Sequence, residues 1–395
     1  MRNMHETDKS VFVPDYYERF ICKADTCRAD CCHGWCITVS MQDYFNLLSV
    51  PCSKRLRDKL DVSLHVVKNA DPQRYAQILP NWEGNCPLQQ ENGLCGLQVE
   101  CGEQMLSSTC RYYPRGIRTA FDDECCLSGS CEGVLETMFE SMEPIRFRKK
   151  ELSFDMELPQ RSEQGCAADE DRSIQGAWFG VLQDRTDPLE TRLMRLGHVA
   201  QALTRRNGDS VTGIIKEALA TFEPEQALDD ELLTGYGVQM EILQLMAGWS
   251  EGIRPLVYKA LDVFGMSPEE MDSQKAIQAH ARYLACKAHF EQAYPMWQVY
   301  FEHMLVNHIL YQGYPYSQRH ESVWDEYTAI CALYASLRAL TIGCLAESEN
   351  MEDFVDVCAA AFKLFDHSGF DHNVMVSLRQ IGLCDERAMR VLCVC

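Results

Sequence analysis

The chain has 395 residues, 46% of them hydrophobic, and a formal net charge of −21. That length holds one large domain or two smaller ones. So acidic a chain argues against nonspecific DNA or RNA binding, which needs a basic face, and favours a basic partner such as a protein surface that presents lysines.

Residues 1–20 carry charges throughout, among them Arg2, Glu6, Lys9, Asp15 and Arg19, so no secretory signal is expected there. Val11-Phe12-Val13 predicts a short strand. Then comes the densest thiol stretch, Cys22 to Trp35, with Cys22, Cys27, Cys31 and Cys32 inside eleven residues. Residues 36–40 are β-branched and strand-like. Ser40 reads as the N-cap of a helix through Tyr44, Phe45, Leu47 and Leu48 that Pro51 ends. Residues 53–80 read as polar and helical. Thiols return at Cys86 and Cys95, on two turns that frame a hairpin, and at Cys110. Residues 117–127 read as a hairpin around Asp122-Asp123, Glu132 to Met142 as a helix, and the alternation over 145–158 as a strand pair. Residues 159–172 are polar, acidic and rich in turn residues, as a linker would be.

Beyond that point the pattern turns helical. Asp187-Pro188-Leu189-Glu190 has the form of a capping box with proline at the first helical position, and Ser267-Pro268-Glu269-Glu270 repeats it. Helices are expected near 211–222, 225–248, 272–290, 294–312, 322–346, 350–366 and 370–382. The apolar run 329–346 carries Arg338 near its middle and reads as a buried helix, not a membrane span. The expected fold is mainly α: an irregular, cysteine-rich, metal-wrapping N-terminal region with short β-strands over 1–158, a linker at 159–172, and an all-helical domain over 173–395. A cytoplasmic protein with no membrane and no nucleic-acid partner is expected.

Of 21 cysteines, 13 lie at or before Cys131. In a reducing compartment clustered thiols read as metal ligands or catalytic groups. Adjacent Cys31 and Cys32 cannot easily bridge each other, yet both can ligate a metal. With Cys22, Cys27, Cys86, Cys95, Cys110 and Cys131 they make eight candidates where one iron–sulfur or zinc centre needs about four. The lack of paired C-x2-C knuckles favours iron. Cys36, Cys52, Cys101, Cys125 and Cys126 stand in reserve, and the eight cysteines from Cys166 onward read as small buried side chains. Cys27-x3-Cys31 begins the C-x3-C-x2-C pattern of radical enzymes, but position 34 is Gly34.

Cys110-Arg111-Tyr112-Tyr113-Pro114-Arg115 puts two guanidinium groups and two phenols beside a thiol. Arginines hold carboxylates, and tyrosine assists proton transfer. His33 is a donor, ligand or proton acceptor. Tyr112, Tyr113 and His33 are therefore the catalytic candidates, and Gly34, Trp35, Arg111 and Arg115 the cofactor-binding ones. The plainer reading is a turn packed over the thiols. His198, His280, His289, His303 and His308 form no i, i+4 pair and read as core or surface. No G-x-G-x-x-G after a strand, P-loop or G-x-S-x-G occurs.

Taken in order, Phe20-x-Cys22-x4-Cys27-x3-Cys31-Cys32-His33-Gly34-Trp35, Cys86-x-Leu88, Gly93-Leu94-Cys95, Cys110-x2-Tyr113-Pro114-Arg115 and Leu127-Ser128-x-Ser130-Cys131 resemble the bacterial flagellin lysine-N-methylase family. Arg192-Leu193-x2-Leu196-Gly197 and residues 307–315 look like its C-terminal half. The resemblance implies methylation of flagellin lysines with S-adenosylmethionine as donor and a 4Fe–4S cluster held among the eight thiols. The alternative is a non-catalytic iron- or zinc-chelating carrier, or an electron-transfer protein. Binding of S-adenosylmethionine separates the two.

Overall fold

The N-terminal third is organised by apolar side chains and short antiparallel pairings. The computed structural model describes residues 7–118, 123–156, 158, 169–224, 229–266, 273–315 and 322–394. In this third it places β1 (Thr7–Pro14), β2 (Ile37–Val39), α1 (Met41–Ser49), α2 (Lys54–Ser63), β3 (Leu64–Val66), β4 (Ala76–Ile78), α3 (Gly96–Cys101), α4 (Ser108–Tyr112), β5 (Arg115–Ile117), β6 (Cys125–Leu127), α5 (Glu132–Phe139) and β7 (Phe147–Phe154). Ser40 and Ser53 cap α1 and α2 by accepting the Asp43 and Leu56 N–H groups. The alternation over 145–158 is not a local strand pair. It is the single strand β7, antiparallel to β1, with Thr7 opposite Phe154 and Pro14 opposite Phe147. β5 and β6 do pair as a hairpin, while its tip at 119–122 lies outside the described residues.

β4 lies between β2 and β3 in an antiparallel sheet, so the helical reading of 53–80 holds only as far as Ser63. Sheet and helices close over Ile37, Val39, Leu47, Leu56, Leu60, Ile78, Leu88, Leu97 and Leu106. Burying each of these contributes about 1.5–3 kcal/mol. This corrects the expected architecture. Residues 36–106 form a small α/β unit around their own apolar core, instead of an irregular region wrapped on a metal. Cys52, Cys86, Cys95, Cys101 and Cys110 are spread around the margin of that core, half-buried. The expectation of a mainly α protein stands.

The helical part comprises α6 (Asp169–Leu182), α7 (Leu189–Thr204), α8 (Val211–Thr221), α9 (Asp229–Trp249), α10 (Arg254–Phe264), α11 (Ser273–Ala293), α12 (Trp297–Gln312), α13 (Val323–Cys344), α14 (Met351–His367), α15 (Phe370–Gln380) and α16 (Glu386–Val394). Residues 159–168 of the expected linker lie outside the described residues, and α6 begins at Asp169. The start signal at 267–270 also lies outside them. At Asp187 the capping box does not form: the Leu189 N–H is capped from afar by the Gln298 side chain at 2.9 Å, and Asp187 pairs with Arg195 instead. A guanidinium within reach outcompetes a backbone N–H for a carboxylate.

α13 is the axis of the bundle, buried from Asp325 to Cys344 and packed against α7, α9, α10, α11, α15 and α16. Among the described residues it is the one helix long and apolar enough to cross a membrane, and it lies wholly inside the protein. Arg338 can be buried there because Glu291 pairs with it at 2.6 Å and the Trp297 ring lies 4.1 Å from its guanidinium carbon. Gly343 lets α10 approach closely, since a Cβ there would stand 2.7 Å from the Ala260 Cα. Backbone cannot give way as a side chain can, so Gly343→Ala is expected to cost about 1–3 kcal/mol in denaturant unfolding.

β1, β6, α5 and β7 do not join the small α/β unit. Val11, Leu127, Val134, Leu135 and Phe154 share one core with Trp178, Phe301 and Phe362 of the helices. The small unit is thereby set against the end of α14, and the candidate site forms there.

Candidate active site

A cavity of about 330 Å³ opens between the small unit and the C-terminal end of α14. Parts of the segments 31–38 and 86–110, with Tyr113 and His367, supply most of its wall. That volume lies within the usual range for small-ligand sites. A second recess, of about 620 Å³, is lined by polar side chains such as Arg55, Gln90 and Glu100 and shares Leu88 with the first.

The thiol-bearing loop is held by carboxylates. Glu132, at the first turn of α5, accepts the N–H groups of Arg28 and Ala29 at 3.0 and 2.8 Å and pairs with Lys23 at 2.8 Å. Asp30 accepts the Cys32 N–H and the Gln89 amide, each at 2.8 Å. Gly34 has φ +90°, which glycine adopts at little cost, and its N–H reaches the Gly84 carbonyl at 2.9 Å. The turn carries Trp35 into the wall, its indole N–H bonded to the Cys31 carbonyl at 2.9 Å. Glu132→Ala strands two backbone donors at a cost of about 1–3 kcal/mol each. Faster limited proteolysis beside Arg28 is the expected result.

On the opposite side a polar chain leads inward. The Tyr113 hydroxyl lies 2.9 Å from Ser130 Oγ, and Ser130 Oγ lies 2.8 Å from His367 Nε2. Ser128 touches the same nitrogen at 3.2 Å and donates to Asp366 at 2.6 Å. Asp366 also accepts the Gly129 N–H at 2.9 Å, and His308 Nδ1 lies 2.9 Å from it. Desolvation of the ring among Trp35, Tyr113 and Tyr311 holds His367 below its ordinary value and so neutral, against the nearby Asp366, although the residue as a whole is exposed. Burial likewise raises Tyr113 well above 10, so the phenol keeps its proton. Lys363, one turn before His367, is pulled below the ordinary lysine value by burial, opposed by Asp30 and Cys31. Its Nζ lies 5.5 Å from the centre of the Trp35 ring.

The family profile described as "FliB lysine N-methylase C-terminal domain" matches residues 177–382. The chain belongs to that family. Relatives include a Lysine-N-methylase of Salmonella typhimurium (strain LT2), 28% identical over 146 residues, and one of Salmonella choleraesuis, 27% identical over the same length. Each match spans 36% of this chain and 36% of the relative, so the chain covers about a third of the length of these FliB-family proteins. A "Flagellar biosynthetic protein FliU" of Salmonella muenchen is 31% identical over 111 residues, 28% of this chain and 64% of the relative. No solved structure matches the chain.

Within this FliB-family chain the expected metal centre is not borne out. A 4Fe–4S cluster or a zinc ion needs several ligands converging on one point. Among the described residues no group of three or more His, Cys, Asp or Glu side chains could hold a metal ion. Cys31, Cys32, Cys86, Cys95 and Cys110 line the cavity wall, whereas Cys22, Cys27 and Cys131 lie outside that lining. The apolar core of the small unit fixes where each thiol-bearing turn sits, and it sets five thiols around one cavity without bringing them to the common point a metal needs. The residues present do not fit the cluster, and the reading as an iron- or zinc-chelating carrier falls with it.

Two of the seven other candidates meet at the cavity, Trp35 and Tyr113. Tyr112 donates to Asp155 at 2.6 Å and Arg111 pairs with the same carboxylate at 2.6 Å, clear of the cavity lining. His33 lies 2.8 Å from Asn85, and Arg115 sits over the Tyr17 and Phe20 rings. Gly34 acts through backbone shape. Sequence reasoning missed His367, Asp366 and Lys363, which stand at the end of an amphipathic helix where histidine and lysine read as solvated ends. Among the thiols, Cys86 is drawn down to about 7 by the hydrogen bond from Cys32, against burial, while burial pushes Cys110 up to about 12. In reduced protein at neutral pH, iodoacetamide is expected to label Cys86 well before Cys110, as peptide mapping would show.

Proposed function

We propose that the chain is an S-adenosylmethionine-dependent protein-lysine N-methyltransferase that acts on flagellin in the cytoplasm, with the cavity beside His367 as its active site. Family membership, the names of the relatives and the acidic chain support this reading. The carrying observation is the wall itself: a neutral imidazole and a protonated phenol on one hydrogen-bonded chain, in a lining without Asp, Glu, Lys or Arg.

Methyl transfer needs a neutral amine, whereas a free lysine has a pKa of about 10.4. Desolvation in a wall of rings and thiols without a carboxylate disfavours the ammonium form, opposed by the Cys86 thiolate in the same wall. The chain's own Lys363, just behind Trp35, already feels that pull. The donor supplies an electrophilic methyl group on a sulfonium. The amine lone pair forms the new C–N bond as the C–S bond breaks and its electrons return to sulfur. The ammonium proton leaves through Tyr113 and Ser130 to His367, whose orientation Ser128 and Asp366 hold.

The test is incubation of purified protein with flagellin and donor labelled in the methyl group, followed by mass spectrometry of flagellin peptides. Label on lysine side chains is the expected result. An unlabelled flagellin, with the protein folded, overturns the proposal.

A further inference from the structure

Three rings meet in the cavity wall. The centroids of Trp35 and His367 are 4.8 Å apart, those of Trp35 and Tyr113 5.4 Å, and those of Tyr113 and His367 6.1 Å. Trp35 stands at 73° to His367 and 72° to Tyr113, so the wall is angled. All three polar handles are tied into the wall: the indole N–H to Cys31, the phenol to Ser130, and the imidazole Nε2 to Ser128 and Ser130. Apart from the Tyr113 oxygen, which can accept from a ligand while it donates to Ser130, the parts of the ring surfaces that the rings leave uncovered are the means of contact with a ligand.

Such a surface attracts cations, and Lys363 shows it by placing its ammonium over Trp35 without itself lining the cavity. A primary ammonium requires three acceptors on entering, and this lining has no carboxylate to offer. Each added methyl removes one donor, weakens hydration and enlarges the apolar shell of the cation. A trimethylated ammonium also keeps its charge at every pH, so the desolvation that deprotonates a substrate lysine cannot remove its attraction to the rings.

We propose that Trp35, Tyr113 and His367 form a cage for the methylated ammonium of a lysine side chain, so that the site retains its own product. The cage rests on the reading of the cavity as a lysine site. Its consequence is that a lysine once methylated stays for further methyl additions.

The test is ligand-observed NMR on the full chain with three probes: Nε-trimethyl-lysine with blocked termini, the same compound with unmodified lysine, and its uncharged tert-butyl isostere. Binding about tenfold tighter for the trimethyl compound than for either other probe is expected, within the range of a desolvated cation–π contact. Trp35→Leu should abolish that preference, and Trp35→Phe should keep part of it, which guards against a merely misfolded variant. Equal binding of the isostere, or a preference unchanged in Trp35→Leu, overturns the cage. So does binding of free S-adenosylmethionine that is lost in Trp35→Leu, with no binding of any lysine probe, which would assign the rings to the sulfonium. Binding is read without turnover. A cage that binds in a protein inactive on flagellin sinks the enzymatic reading alone, and active protein with no probe preference sinks the cage alone.

Discussion

His367→Gln lowers methyl transfer by about 10²–10⁴-fold, the contribution of a positioned general base. Glutamine can still hydrogen-bond to Ser128 and Ser130, 3.2 and 2.8 Å from the native Nε2, so the turn stays in place while the proton acceptor is gone. The pH profile separates this role from a structural one. Desolvation of the imidazole by the neighbouring rings lowers the His367 pKa, so the wild-type rate is level near neutrality and falls as the pH drops through that lowered value. The variant should lose this acidic limb along with most of its rate. A variant of equal rate, or one that keeps the limb, shows that another group takes the proton. Tyr113→Phe interrupts the same chain at its cavity end, and full methylation by that variant would remove the phenol from the mechanism.

His308→Leu destabilises the fold by about 3–5 kcal/mol, the cost of leaving a buried charge without its partner. His308 is fully buried, with Nδ1 2.9 Å from Asp366 and Nε2 3.2 Å from Asp371. Burial alone would lower its pKa, but the two carboxylates outweigh that and raise it to about 10. The folded value stands above the ordinary 6.5, so this stabilisation is complete below about pH 6.5 and is lost as the pH rises through about 10. Thermal melts should therefore show wild-type stability declining over that interval, with a flatter dependence in His308→Leu. Parallel curves would mean that His308 is neutral in the folded protein. Asp366 also anchors Ser128 and Gly129, so a conservative His308→Gln should disturb the cavity less than the leucine variant.

Much of the helical part was legible. Apolar patterning marks α8, α9, α11, α14 and α15, which turn a stripe to the core, and near-continuous apolar sequence marks α12 and α13, which are buried on almost every face. α6, α10 and α16 were not expected. α16 is held through tertiary pairs, Arg387 with Glu231 at 2.7 Å and Arg390 with Glu231 at 3.4 Å. The family profile falls on the helical part, where the resemblance read from short motifs was weaker than in the cysteine stretch. A profile sums many small preferences for burial, and short motifs do not.

The thiol stretch shows the opposite failure. Spacing displays which residues are chemically similar, and so dense a run of cysteines reads as one centre. Where a side chain points is set by what its neighbours bury. Ile37, Leu47, Leu56 and Ile78 close a core that spreads the thiol-bearing turns along a cavity wall.

The sequence by itself determined a mainly helical, acidic chain, the buried character of 329–346, the Ser40 cap and the β5–β6 hairpin. Those features depend on local propensity, periodicity and charge, which act between near neighbours. Only the tertiary structure decided that β7 pairs with β1, that the small unit has an apolar core, and that His367 at the end of α14 meets Ser130 from more than two hundred residues earlier. Such meetings depend on how separate apolar faces pack together, and no local pattern along the chain records them.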